Sequence, residues 1–147
     1  MDMGVEPFLL VSSLTCVVGQ RVLRKVCQDC HQETELTPEA EADFKETLGP
    51  IFEMIKSKWV KDGKQMKLPK PVGCEKCNNT GYLGRVAIYE VMTMTEKISK
   101  LVVEKAAASE IQKQAMSDGM LTMKQDGYVK VLEGVTTIEE VLRVAQY

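Results

Sequence analysis

Four of the five cysteines fall into two C-x-x-C pairs, Cys27/Cys30 and Cys74/Cys77, and nothing else constrains the fold so tightly. A C-x-x-C turn aims two thiolates at one point, and two such turns complete a tetrahedral shell. Gly73 precedes the second pair, and Asn78, Asn79 and Gly81 follow it. These residues tolerate the positive φ angles that a tight metal-holding turn demands. The pairs stand 43 residues apart, and closing a loop of that size costs about 3 kcal/mol by the logarithmic rule. Structural zinc contributes roughly 10–16 kcal/mol in small modules. The separation is therefore no obstacle.

Four thiolates leave no open coordination position, which argues against a hydrolytic role for the ion. The expectation is one structural Zn2+ held by Cys27, Cys30, Cys74 and Cys77. Iron takes the same ligands, and disulfides or an unmetallated dithiol also remain open from the residues alone. Cys16 lies in the apolar run from Phe8 to Val18 and reads as a small buried hydrophobe. His31 adjoins Cys30, but a fifth ligand is unnecessary, so it reads as a solvated surface residue.

With 147 residues the chain suffices for one ordinary domain or two small lobes. Its net charge of −2 provides no global field toward nucleic acid or an anionic membrane. The first residues lack a basic segment and a signal cleavage site. The apolar run is interrupted by Ser12, Ser13 and Thr15 and is too short to span a bilayer, so it reads as core. These features lead to the expectation of a cytoplasmic protein, where cysteines stay reduced unless a metal claims them.

Glu6-Pro7 opens a short helix, proline suiting a first helical position. From Cys16 to Val26 the β-branched Val17, Val18, Val22 and Val26 are broken by Gln20, Arg21, Arg24 and Lys25, a pattern that fits a strand or a helix. Tyr82 to Val91 reads more clearly as strand. One knuckle follows the first segment and the other precedes the second. If the two pair antiparallel, both C-x-x-C turns fall at one end of the ladder, which favours an extended 17–26. Between the knuckles, Thr37-Pro38-Glu39 starts a helix. Phe44, Leu48, Ile51 and Ile55 recur at helical spacing, broken at Gly49-Pro50. Acids cluster from Glu33 to Glu46, and lysines follow at 56, 58, 61, 64, 67 and 70. That run reads as a solvated face, with an acidic partner or anionic lipid headgroups as the alternative.

After Met92 the chain reads as helical to its end. Ser109-x-x-Gln112 and Thr137-x-x-Glu140 are capping-box patterns, and Asp118-Gly119 and Gly134 are stops. Ile138, Val141, Leu142 and Ala145 form one apolar stripe. The methionines at 92, 94, 116, 120 and 123 read as adaptable core filler. No G-x-x-x-x-G-K-[ST], G-x-G-x-x-G, nucleophile elbow or H-E-x-x-H occurs, so these residues hold no self-contained catalytic constellation.

Several stretches together resemble the late part of the secretion ATPases, the motors of type II secretion and type IV pilus assembly. They are Met3–Leu10 with Ser12–Leu14, Gln20–Cys27, Gly73–Cys77, Gly81–Arg85, Ala87–Val91, Gly119-Met120, Asp126-Gly127 and Gly134–Val141. The segment His31–Val72 falls outside the match and looks longer than is usual there. The resemblance implies an α+β, mostly helical fold with a two-stranded antiparallel remnant of a RecA-like core sheet, an inserted tetracysteine zinc lobe and a C-terminal helical subdomain. Residues 1–26 would end the ATPase core, 27–80 form the zinc-binding insertion, 81–92 the return strand and 93–147 the helical subdomain. It further implies a hexameric parent ATPase that binds ATP and Mg2+ outside these residues. Its partners would be the other subunits of the homo-hexamer and an inner-membrane platform protein, making it peripheral to the inner membrane. For Gln20 and Arg21 two roles stay open: a place near the nucleotide of the assembled motor, or an exposed strand face. A chain parted from that core would also show a bare strand edge and apolar surface.

Two other classes compete. A zinc-ribbon adaptor binding nucleic acid or a protein would use the lysines from 56 to 76, against which stand the acidic balance and the few aromatics near the knuckles. A dithiol redox protein would show a reactive, low-pKa cysteine.

Overall fold

The computed structural model describes residues 4–61 and 66–145. Met3 of the resemblance, Lys64 of the lysine run and the last two residues of the expected terminal helix lie outside the described residues, as does the side chain of Lys61. The elements are α1 (Pro7–Ser13), β1 (Cys16–Val26), β2 (Gln32–Glu35), α2 (Pro38–Leu48), α3 (Pro50–Lys61), β3 (Lys67–Lys70), β4 (Tyr82–Thr93), α4 (Glu96–Val103), α5 (Ala108–Ser117), α6 (Met123–Leu132) and α7 (Ile138–Ala145). The fold is α+β, as expected, and β1 is a strand rather than a continued helix.

β1 pairs with β4. The Met94 amide donates to Thr15 O at one end of the ladder, and the Cys27 amide to Gly81 O at the other, so the strands run antiparallel. From Thr15 to Cys27 is one step fewer than from Gly81 to Met94. β4 takes up the extra residue as a bulge, and Gly84, with φ +83°, is the strand residue suited to it.

A second ladder was not expected from the sequence. β2 and β3 pair antiparallel, with Gln32 opposite Lys70 and Glu35 opposite Lys67. Four-residue strands of charge and proline carry little β-propensity. Their pairing is held by position instead: β2 leaves the first knuckle and β3 enters the second. The long insertion is thus closed at its base by backbone hydrogen bonds as well as by the cysteines.

The chain forms two compact units. One holds residues up to Gln20 with Tyr89–Thr122; the other holds Arg21–Ile88 with the chain from Met123 on. In the first unit α1 lies against α4, and α4 against α5. Thr95 caps α4 by accepting from the Ile98 amide, and its hydroxyl donates to Asp118 at 2.7 Å, joining the start of α4 to the end of α5. The expected box at Ser109 does not form. Ser109 lies inside α5, whose N-cap is Ala107 without a side-chain bond.

Two further expectations fail in this unit, and a third, the methionines as core filler, holds only in part. The run Phe8–Val18 is not core: Phe8 is 73% exposed, and Leu9, Leu14, Val17 and Val18 are exposed too. Cys16, read as a buried hydrophobe, is exposed. A seven-residue helix shows too narrow a stripe to bury, and a two-stranded ladder is covered only where helices pack on it. Of the five methionines from 92 to 123 only Met123 is buried, and Met116 is exposed.

In the second unit a single core gathers Leu23 and Ile88 from the strands, Phe44, Leu48 and Phe52 from α2 and α3, and Met123, Tyr128, Val131, Leu132, Val141 and Ala145 from α6 and α7. The break at Gly49-Pro50 folds α3 back on α2, stacking Phe44 and Phe52 with centroids 6.1 Å apart. Tyr128 meets Phe44 edge-on at 4.9 Å and donates its hydroxyl to Asp43. The insertion therefore shares its core with the C-terminal helices. On α7 the apolar stripe runs through Ile138, Val141, Val144 and Ala145, while Leu142, expected on it, is exposed.

Candidate metal centre

β1 delivers Cys27 into the first turn, and the segment after β3 delivers Cys74 and Cys77 on a short 3-10 turn, Glu75–Cys77. Asn78 and Asn79 follow with φ of +53° and +58°, as the sequence pattern implies. Gly73 has φ +121°, and a Cβ there would lie 2.9 Å from Asn79 O, so only glycine fits the approach to the turn.

The ligand atoms of Cys27, Cys30, Cys74 and Cys77 all lie within 4.8 Å of one another. Sγ–Sγ separations are 3.7 Å for Cys74–Cys77 and 3.9 Å for both Cys27–Cys74 and Cys30–Cys77. A tetrahedron with Zn–S bonds of about 2.3 Å has edges of about 3.8 Å. The four thiols thus fit one tetrahedral ion, and none is disulfide-bonded. Cys27 and Cys77 are buried, Cys30 and Cys74 half-buried. Burial pushes the Cys77 thiol up, but the amides of Cys74 and Gly81, at 3.2 and 3.3 Å, outweigh it and hold the thiol below its ordinary range. Burial drives Cys30 the other way, upward. His31 is half-buried rather than fully solvated; its Nδ1 lies 3.2 Å from Cys27 O, and it is not one of the four clustered ligands.

Outside the sulfur cluster, Asp29 and Lys76, each inside one C-x-x-C, meet at 2.6 Å. Lys56 pairs with Glu41 at 2.5 Å and Lys67 with Glu33 at 2.9 Å. Two lysines of the run, Lys56 and Lys67, are thus paired with acids that precede them in sequence, while Lys58 and Lys70 are exposed.

Beside the knuckles lies a polar cluster that sequence reasoning missed. Glu140 is 1% exposed. Its carboxylate accepts from the Arg24 amide at 3.0 Å, from Arg24 Nε and Nη2 at 3.1 and 2.8 Å, and from Arg143 Nε and Nη2 at 3.0 and 2.5 Å. The Arg24 guanidinium stacks 4.4 Å from the Tyr82 ring centroid, and Tyr82 Oη lies 3.1 Å from Thr137 Oγ1. Thr136 donates to Arg24 O, and the Val26 amide to Val135 O. Hydrogen bonds from Arg143 and Arg24 hold the Glu140 carboxyl at a pKa of about 2 against its burial. The box at Thr137 is half-formed: Thr137 Oγ1 accepts from the Glu140 amide at 3.3 Å, but the Glu140 side chain turns to the arginines. Arg21, left open above, donates to Val144 O, and Gln20 is exposed.

The chain is α+β, and four cysteine thiols at the ends of two antiparallel ladders are placed to hold one metal ion. The profile of the type II/IV secretion system protein family matches residues 1–143, and the chain belongs to that family. It is 38% identical, over 96% of its length, to 14% of the type IV pilus assembly ATPase PilB of Thermus thermophilus. It is 36% identical, over 99% of its length, to 26% of the type II secretion system protein E of Aeromonas hydrophila. With PilB of Pseudomonas aeruginosa it shares 34% identity over 99% of the chain and 24% of that protein. The chain spans about a quarter or less of these relatives. Among the described residues no helix is long and apolar enough to cross a membrane.

Proposed function

We propose that this chain is the C-terminal, zinc-binding, non-catalytic part of a hexameric ATPase that powers type II secretion or type IV pilus assembly. The observation that carries the reading is the four-sulfur cluster of tetrahedral dimensions within a chain that matches the family almost throughout. Cys27, Cys30, Cys74 and Cys77 would hold the ion, whose chemistry is structural, since four thiolates leave no site for substrate. ATP and Mg2+ belong to the parent protein, because no phosphate-binding loop occurs in these residues. β1 and β4 would be the last strands of the parent's core sheet, and the exposed Val17, Val18, Leu83 and Val91 would meet the rest of it. Residues beyond β4 would pass the motion of ATP hydrolysis to an inner-membrane platform protein, from the cytoplasmic side.

Glu140 and its two arginines support the mechanical part of this reading. They bind α7 to β1, so a displacement of the strand carries the helix with it. Elemental analysis of the purified chain, with thermal melting before and after chelation, tests the metal. About one zinc per chain and a melt lowered by chelator is the expected result. Metal-free protein with four freely reactive thiols would defeat it. Rapid disulfide formation between those thiols would favour the dithiol redox class.

A further inference from the structure

Where it meets the cysteines, β1 is bonded along both of its edges. On one edge the Cys27 amide donates to Gly81 O of β4 at 2.9 Å. On the other, the Val26 amide donates to Val135 O at 2.9 Å, and the Arg24 amide to Glu140 at 3.0 Å. The Thr136 hydroxyl donates to Arg24 O at 2.9 Å on that same side. The segment Val135–Glu140, which leads into α7, is thus seated on the residues just before Cys27. β4 holds it as well. Tyr82 follows Gly81, stacks on the Arg24 guanidinium and lies 3.1 Å from Thr137 Oγ1, while the Gly81 amide donates to Cys77 Sγ at 3.3 Å.

The protein alone joins the two strand ends lightly. Among the described residues the knuckles are linked by the Cys27–Gly81 hydrogen bond, by the Gly73 amide on Cys30 Sγ at 3.3 Å and by the exposed Asp29–Lys76 pair, with the four-residue β2–β3 ladder behind them. Bonds at a ladder end open readily, and an exposed ion pair contributes little. One ion bound to Cys27 and Cys77 would fix Val26 and Arg24 relative to Gly81 and Tyr82, and so preserve the seat of α7. The helix has a second, separate attachment, since Val141 packs against Gly127 of α6. We propose that filling the four-cysteine centre seats the start of α7 through Arg24, Tyr82, Thr137 and Glu140, so that metal occupancy and helix docking form one coupled equilibrium. Such coupling is reciprocal, so an α7 that is loosened weakens the hold on the ion.

This inference rests on the zinc reading above, and its test separates the two. Chain of measured zinc content is compared with chelated chain by amide hydrogen exchange and peptide mass spectrometry. Protection of α7 should fall at least about tenfold on chelation, while α2, held to Tyr128 by Phe44 and Asp43, and α5, in the other unit, change by less than about twofold. In the converse direction, Glu140→Gln should retain zinc about tenfold less well against a chromophoric chelator. Tyr82→Phe, which loses only the hydroxyl facing Thr137, should retain it severalfold less well. Phe52→Leu loosens the core at α3, away from the strand ends, and should leave retention within about twofold of wild type. An α7 that ignores chelation, equal loss of protection from α2 and α7, or zinc lost as readily from Phe52→Leu as from Glu140→Gln overturns the proposal and leaves the zinc reading intact. Chain that takes up no zinc defeats that reading, and the inference with it.

Discussion

Replacing Glu140 by glutamine removes one charge from the second unit and leaves its volume almost unchanged. In the folded chain Arg143 and Arg24 hold this carboxyl at about 2, against an ordinary 4.5. The difference corresponds to about 3 kcal/mol at neutral pH. That figure is a ceiling, because the side chains of Arg24 and Arg143 are 49% and 56% exposed and water screens them. In the Glu140→Gln variant the new amide group also turns donors toward donors. We expect a loss of about 2–3 kcal/mol at pH 7, read as a lowered urea midpoint with unchanged slope in far-UV circular dichroism. The sign of the pH dependence follows from the depressed pKa. The stabilisation is complete above about 4.5 and fades as pH falls toward 2, so the gap between wild type and variant should close across that window. A variant within about 0.5 kcal/mol of wild type at pH 7, or a gap constant down to pH 2.5, would refute the assignment of this carboxylate as a charged buried anchor.

Two other substitutions probe backbone geometry. Gly73→Ala places a Cβ 2.9 Å from Asn79 O at φ +121°, so zinc retention against a competing chelator should fall at least about tenfold; unchanged retention would show that the turn adapts. Gly127→Ala drives a methyl to 2.7 Å from Val141 Cγ1, where α6 and α7 touch, and should cost about 1–2 kcal/mol in urea unfolding after the alanine's gain in helix propensity. Adding Val141→Ala should cost less in that background than in wild type, because it relieves the clash; simple additivity would argue against the close contact.

The four-cysteine cluster was legible in the sequence because its geometry is local. Two residues between cysteines determine where two thiolates can converge, and Gly73, Asn78 and Asn79 are the residues that a tight turn tolerates. The same logic favoured an extended β1, since antiparallel pairing brings Cys27 beside the knuckle that precedes Tyr82, and the structure shows that strand. Helix boundaries at Thr37, Gly49-Pro50 and Gly119 were legible for a similar reason: caps and stops act through the nearest few amides.

Burial was less legible, because it depends on what covers an element and not on its composition. The run from Phe8 to Val18 has the composition of a core but lies exposed, and Cys16 with it, while the short ladder of Gln32–Glu35 and Lys67–Lys70 forms with little propensity of its own. The anchor at Glu140 draws Arg24, Tyr82, Thr137 and Arg143 from three distant stretches, and its nearest sequence signal, the Thr137-x-x-Glu140 pattern, points to a different partner. The sequence by itself determined which four sulfur atoms could share an ion, since spacing within a turn is a property of the turn. Only the tertiary structure decided which charges are buried together and which sulfur atoms receive amides from their own knuckle or from the other, because those depend on residues brought together through space.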